Sequence, residues 1–444
     1  MFRKTKKNQQ LNLFSSNSTL LRGNALNVFE DAKEWHNQFR THFLENIEEE
    51  PFRPLFCGDN GAPNASICVM IGMMVLKEAH GMSDALLHDT CLYNIRFRSA
   101  LGMHNFDEPI PALSTYYLFR KRIVEWEKES GVNLLERVFS QVTQKQFVEF
   151  RINGNKIRMD SKLLGSNIAW YSRYELIHET LRLAYKEAEN NFSKHLSKAN
   201  QSLLNEVLSE SGEKASYRYN KSEIESRLSQ LGAIIFTLIS HSKGKPESAI
   251  EILRKVFYQQ YEVIDDKVLP LPKEKIEATS IQSPHDPDCH YRKKDDKSCK
   301  GYSINVTETC NPENDVNLVT SVIVEPASFA DCDFLIPAVK ATQEIVGDVI
   351  ETLNDDGAYH KPLNETFCDK NKIDHVISAI QGKPARYVYS FNANNELVAT
   401  DMQTGKVYIC RKVKTHKIDA VPKWVFVDDD GERRYVTQKM IDTS

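Results

Sequence analysis

The sequence predicts an α/β protein whose layered core is interrupted by a helical insertion and preceded by an all-α N-terminal domain. Three observations predict it. Up to about residue 150, apolar residues recur at helical spacing. A second block of helical periodicity fills residues 166 to about 262. From about residue 300, β-branched alternating runs trade places with helix-like ones, the order of a layered α/β arrangement. The expected divisions are residues 1–150 (helical), 151–165 (first core strand), 166–280 (helical insertion), 281–384 (remainder of the core) and 385–444 (short strands and turns).

In order along the chain, residues 65–76 form the longest apolar stretch and read as a buried helix, too short for a bilayer, which needs ~20 residues. Pro-containing segments at 51–54 and 109–111 separate helices. Val132, Leu135, Val138 and Val142 share a helical face. Asn153-Gly154 makes a turn, and residues 156–160 read as a short strand carrying Asp160 within it or at its end. Ile177, Leu181, Ala184 and Ala188 mark one insertion helix. Ile224, Leu228, Leu231, Ile235 and Leu238 mark another, and Ile250, Leu253 and Phe257 a third, with a turn at 243–246. Strands are expected at 302–309, 318–324, 346–353 and 375–379, with helices at 333–345 and 361–371. Strand 346–353 should open into Asn354-Asp355-Asp356-Gly357.

The chain has 57 Lys+Arg, 61 Asp+Glu and 41% hydrophobic residues, which excludes wholesale disorder. Its net charge of −4 decides nothing about nucleic acid, because patches and not totals bind it. The basic start is followed by an apolar run at 11–14 too short for a signal peptide, so a cytoplasmic protein with no membrane association is expected. Nine scattered cysteines contain no C-x-x-C pair. Cys289, Cys299 and Cys310 with His285 and His290 fit no usual zinc spacing, so free thiols are expected.

Two carboxylates stand out by context. Asp160 lies on the first strand and Asp356 where a later strand opens into a Gly-containing loop. In open α/β sheets, sites form outside strand ends. Two such carboxylates suit Mg²⁺, a hard cation that prefers oxygen ligands. Spacing alone leaves them among 61 acidic residues, mostly solvated, with Asp286, Asp288, Asp331 and Asp355 as competitors.

Five segments add a resemblance. They are Cys91-Leu-Tyr-Asn-Ile-Arg-Phe-Arg-Ser-Ala-Leu-Gly102, Leu113-Ser-Thr-Tyr-Tyr-Leu-Phe-Arg-Lys-Arg122, Arg158-Met-Asp-Ser-Lys-Leu-Leu-Gly-Ser-Asn167, Gly301-Tyr302 with Thr307-Glu308-Thr309, and Asp356-Gly-Ala-Tyr359. In this order they resemble bacterial insertion-sequence transposases of the DDE (Asp-Asp-Glu) type with an InsH-like N-terminal domain. The resemblance runs from about residue 30 to the end. It implies an RNase H-like catalytic core and DNA cleavage and strand transfer at element ends, dependent on Mg²⁺ or Mn²⁺ at a two-metal site. It makes Asp160 the first metal-binding Asp and Asp356, three residues before Tyr359, the second, with Asp355 the competing register. The implied partner is double-stranded DNA, bound by a homo-oligomer. The family's third acidic residue, a Glu on a later helix, has no match here. Asp428, Asp429, Asp430 and Glu432 read as a solvated turn, so a chain truncated before its third carboxylate, and inactive alone, is expected.

For DNA contact, Arg96, Arg98, Arg120, Lys121 and Arg122 are the candidates, with Ser114 or Thr115 capping a helix like the recognition helix of a helix-turn-helix unit. An ordinary charged surface helix is the competing reading. The basic Arg3–Lys7 arm reads as disordered. Trp170 and Tyr171 are candidates for stacking on a flipped base, with core packing of the insertion the alternative. Two rival roles remain: a non-catalytic DNA-binding fragment that occupies element ends or inhibits full-length subunits, and a structure-specific nuclease on the same fold.

Overall fold

The computed structural model describes residues 1–5, 16–58, 61–188, 195–242, 248–265, 267–294, 297–347, 349–377, 387–392, 394–402, 404–413, 423–429, 431 and 433–442. The expected turn at 243–246, Lys6 and Lys7 of the basic arm and the end of the expected strand 375–379 lie outside these residues; the disorder expected of the arm is corrected at Arg3, Lys4 and Thr5, which are held by Asn64, Glu50 and Glu49. The chain forms two compact units. One comprises residues 1–157, 306–322 and 338–350; the other comprises 158–305, 323–337 and 351–444.

The first unit is built on helices α1 (Asn24–Glu30), α2 (Trp35–His42), α3 (Ile67–Ala79), α4 (Asp84–Tyr93), α5 (Ile95–Ala100), α6 (Leu113–Ser130) and α7 (Leu134–Glu149). Side chains of Ser66, Ser83, Asn94 and Asn133 cap α3, α4, α5 and α7, satisfying N–H groups that the first helical turn leaves unpaired. The apolar stretch at 65–76 becomes α3, which buries Ile67, Val69, Met70, Ile71, Met73 and Leu76. Gly72 lets α3 pack closely: a Cβ there would lie 2.8 Å from the side chains of both Leu44 and Leu101. The expected cap of α6 is corrected. Ala112 holds the N-cap position without a side-chain bond, so Ser114 and Thr115 fall inside the first turn. Extended Ala112 follows the rigid Pro109–Pro111 segment and sets the earlier start. In α7, Val138 and Val142 are buried, whereas Val132 precedes the Asn133 cap and is exposed.

Strand β1 (Lys156–Gly165) is ten residues long, twice the expected length, and carries Asp160 in its interior. The insertion follows as α8 (Arg173–Glu187), α9 (Lys198–Ser209), α10 (Gly212–Arg218), α11 (Lys221–Ser240) and α12 (Ala249–Gln260). Capping boxes at Ser172 and Asn220 start α8 and α11. The expected apolar faces meet in one core around Ile177, Leu181, Leu231, Ile235, Leu238, Leu253 and Phe257. The insertion is not wholly helical. An antiparallel hairpin of β2 (Tyr261–Ile264) and β3 (Lys267–Pro270) closes it, and Arg173 ties α8 to this end by donating to the carbonyls of Gln260 and Leu271.

The central sheet then forms from β4 (His290–Lys294), β5 (Lys297–Thr309), β6 (Val319–Pro326), β7 (Thr352–Asp355) and β8 (Asp374–Ile377), with α13 (Leu335–Val346) before β7 and α14 (Pro362–Lys370) before β8. The strand order is β4-β5-β1-β7-β8, and β6 also pairs with β5. Backbone bonds Cys310 to Lys156 and Ser166 to Lys300 make β1 and β5 antiparallel. Bonds Thr309 to Leu318 and Ala327 to Gly301 do the same for β5 and β6. Strands β7 and β8 are parallel, Leu353 opposite His375. The expected strand at 346–353 is corrected: Val346 ends α13, and β7 begins only at Thr352.

The remaining strands are β9 (Tyr387–Phe391), β10 (Leu397–Asp401), β11 (Val407–Ile409), β12 (Arg411–Lys412), β13 (Lys423–Val427) and β14 (Arg433–Thr437), followed by α15 (Gln438–Asp442). They form two three-stranded sheets around Leu397, Ala399, Cys410, Phe426 and Val436. The solvated-turn expectation is corrected at Asp428, which is buried, paired with Arg434 at 2.9 Å and bonded by Tyr387. Asp429 is exposed, and positions 430 and 432 lie outside the described residues.

Candidate functional site

Asp160 occupies the exposed face of β1, its neighbours Ile157 and Met159 pointing into the core. Its Oδ1 accepts from the Ser161 N–H at 2.8 Å. Asp356 directly follows β7, the sheet neighbour of β1. It caps a short turn, Gly357–Tyr359, accepting from the Ala358 N–H at 2.9 Å. Among the described residues, neither carboxylate takes part in an ion pair. Carboxylate oxygens are the donor chemistry that a hard divalent cation takes. No group of three His, Cys, Asp or Glu suited to a metal occurs among the described residues.

The competing carboxylates are mostly committed elsewhere. Asp286 accepts from Ser166 and Tyr302. Asp331 makes a two-pronged pair with Arg292 at 3.0 and 3.1 Å. Asp355 is buried against His375, with Oδ2 2.7 Å from Nε2.

Two anchors fix the turn that carries Asp356. Tyr359 is fully buried, and its hydroxyl accepts from the Asn305 side-chain amide of β5 at 2.7 Å. Burial pushes this phenol's pKa up, so it stays protonated. Asn364 of α14 donates to the carbonyls of Tyr359 and Cys332. On the other side, His375 bridges Asp355 and Glu365, its Nδ1 2.9 Å from Glu365 Oε1. Burial disfavours the imidazolium, but the hydrogen bond and charge of Asp355, with the charge of Glu365, outweigh it and hold the His375 pKa above its ordinary value. The Asn305, His375 and Glu365 roles were not read from sequence. A histidine within the apolar run Ile373–Ile377 was the one available signal.

The basic candidates divide. Arg98 is corrected: it is 2% exposed and donates to the carbonyls of Asn105 and Glu108 at 2.7 and 2.8 Å, stacking near Phe106. Such a guanidinium is spent inside the domain and cannot reach a phosphate. Arg96 pairs with Glu34 at 3.3 Å, and Arg120 with Asp84 at 3.5 Å. Lys121 is exposed beside Glu125, and Arg122 lies over Phe56. Arg120 and Lys121 share an exposed stretch of α6 with Tyr117, Val124 and Lys128. Of the stacking candidates, Tyr171 packs against the insertion core, whereas Trp170 is 60% exposed.

None of the nine cysteines, all of them among the described residues, is in a disulfide. Burial pushes the thiols of Cys91, Cys289 and Cys368 up to about 12, which makes them poor nucleophiles at neutral pH. Among the described residues, no helix is long and apolar enough to cross a membrane.

Residues 28–122, from α1 into α6, match a family described as a transposase domain (DUF772). The match covers about a fifth of the chain, and the likeness is of that segment. No curated protein and no solved structure matches the chain.

Proposed function

We propose that this protein is a DDE-type transposase whose sheet is an RNase H-like core, that Asp160 and Asp356 bind Mg²⁺ or Mn²⁺ for DNA strand cleavage and transfer at the ends of an insertion sequence, and that with the family's third carboxylate unmatched the chain alone is inactive or nearly so. One observation carries the reading: Asp160 lies on β1 and Asp356 directly follows β7, the neighbour of β1 in the sheet. The strand order, with antiparallel β6, β5 and β1 flanked by parallel β7 and β8, supports it, and so does the transposase-domain match.

In this mechanism Asp160 and Asp356 would hold the cations through their carboxylate oxygens. The bound cations would lower the pKa of the attacking water and stabilise the leaving oxygen. Tyr359 keeps the Asp356 turn fixed against Asn305 of β5. Lys121 and Arg120 contribute electrostatic affinity for the phosphate backbone, probed by salt dependence. A homo-oligomer assembles on the DNA.

The test is nicking of labelled DNA from the flanks of the gene, in Mg²⁺ and in Mn²⁺, by the wild-type chain and by Asp160→Asn and Asp356→Asn. Cleavage lost in both variants, with DNA binding retained, supports the reading. Cleavage unchanged in either variant overturns the site. End-specific binding without cleavage by the wild type favours the non-catalytic role, and cleavage of branched DNA regardless of end sequence favours the nuclease.

A further inference from the structure

Resting on the reading of Asp160 and Asp356 as cation ligands, we propose that His375 is a positioning residue for that site, clamping the strand end from which Asp356 projects.

The geometry runs through three elements. Asp355 is the last residue of β7, and Asp356 is the next residue in the chain. His375 lies on β8, paired with Leu353, so its ring reaches diagonally to Asp355 on the same face of the sheet. Its other nitrogen reaches Glu365 on α14. The side chains of Asp355 and His375 are 0% and 2% exposed, while Glu365 is 40% exposed and also faces His360 at 3.6 Å. Asp356 therefore sits between two pinned points, Asp355 on one side and Tyr359 on the other. A lateral shift of about 1 Å at a metal-binding carboxylate is enough to cost two orders of magnitude in rate.

Stability alone does not explain the arrangement. A buried ion pair is often matched or bettered by apolar residues of similar volume, and the surroundings here are apolar: Leu353, Cys368 and Ile373 are all buried. What a carboxylate–imidazole–carboxylate chain supplies is direction. Each bond fixes the orientation of the next group, as outer partners do around metal ligands.

The experiment measures Mn²⁺ affinity of the full chain by electron paramagnetic resonance, with folding followed by circular dichroism. His375→Gln places an amide where Nε2 stood and keeps the contact to Asp355. His375→Asn reaches only towards Glu365. The expected result is an affinity about 10-fold weaker for His375→Asn and within about 3-fold of wild type for His375→Gln. A purely structural histidine would lower the melting temperature of both variants and leave Mn²⁺ affinity unchanged in both, which overturns the proposal. If His375→Asn does not fold, Glu365→Gln at the solvent end decides: affinity about 3-fold weaker supports the clamp, unchanged affinity overturns it. Asp160→Asn and Asp356→Asn separate the two levels. If they leave Mn²⁺ binding unchanged, the cation reading falls and the clamp with it. If they abolish binding while His375→Asn matches wild type, the clamp alone falls.

Discussion

Arg98 donates two hydrogen bonds to main-chain carbonyls from a buried position, and this decides what its loss does. Arg98→Ala takes a buried donor from the Glu108 carbonyl, leaves the Asn105 carbonyl only the Glu108 N–H among its backbone donors, and opens a cavity, so it should cost about 3 kcal/mol in urea unfolding. Lys121→Ala, at an exposed pair, should stay within about 0.5 kcal/mol. His375 gives a pH signature. Its neighbours are Asp355 on β7 and Glu365 on α14, with His360 beside Glu365 and Asp356 next along the chain. Its pKa is raised in the folded state, so its stabilisation is complete below its ordinary value of 6.5 and is lost as pH rises through the folded value. Unfolding free energy should therefore decline from near pH 6.5 upward, and that decline should flatten in His375→Gln. Chemical identity and context singled out Asp160 and Asp356 in the sequence as candidates. Identity could not separate Arg98 from Lys121, because burial of a cation depends on carbonyls supplied by the 105–108 loop.

Among the elements, β5 shows how a pattern is read correctly and its sense left open. Residues 302–309 alternate as expected, yet the buried row is the polar one: Ser303, Asn305, Thr307 and Thr309, with Val306 exposed. Two side chains of this row find partners elsewhere: Asn305 donates to the Tyr359 hydroxyl, and Thr309 accepts from the Leu318 N–H. Period two identifies a strand, but the face turned inward is set by hydrogen-bond partners from other elements. Gly301 is more restrictive. A Cβ at Gly301 would meet the carbonyl oxygen of Leu164 at 2.0 Å and the amide nitrogen of Ser166 at 2.8 Å. These are backbone atoms, so no rotamer change relieves the clash. Gly301→Ala should separate β1 from β5 at this end and cost about 3 kcal/mol or more, read as a lower urea midpoint. The late start of β7 has a local reason too: Gly347 adopts φ 79° after α13, a helix-ending conformation that breaks the run into a strand.

On the scale of the whole molecule, the insertion behaves as a body with its own interior. Its core draws on residues from Tyr174 to Ile281, and the first and last helices, α8 and α12, pack together. A fragment spanning residues 171–281 should therefore be helical by circular dichroism and unfold cooperatively. A non-cooperative melt would show that the insertion depends on the sheet. This autonomy was legible in the sequence, because helical faces are local patterns. The sheet was less so: β1 finds its partners far along the chain, and β4 was not foreseen.

That distance has a consequence during synthesis. Lys300 beside β1 reaches Tyr171 across 129 residues, an interval of on the order of ten seconds on the ribosome. Throughout it, the strand carrying Asp160 has emerged without the neighbour it will pair with. The insertion has all of its own contacts in hand first, and because Arg173 fastens its entrance to its exit at Gln260 and Leu271, its folding brings the growing end back to where the chain departed. The search by β5 for β1 then becomes a short-range closure instead of a long loop, and a nascent edge strand is exposed to other chains for less time.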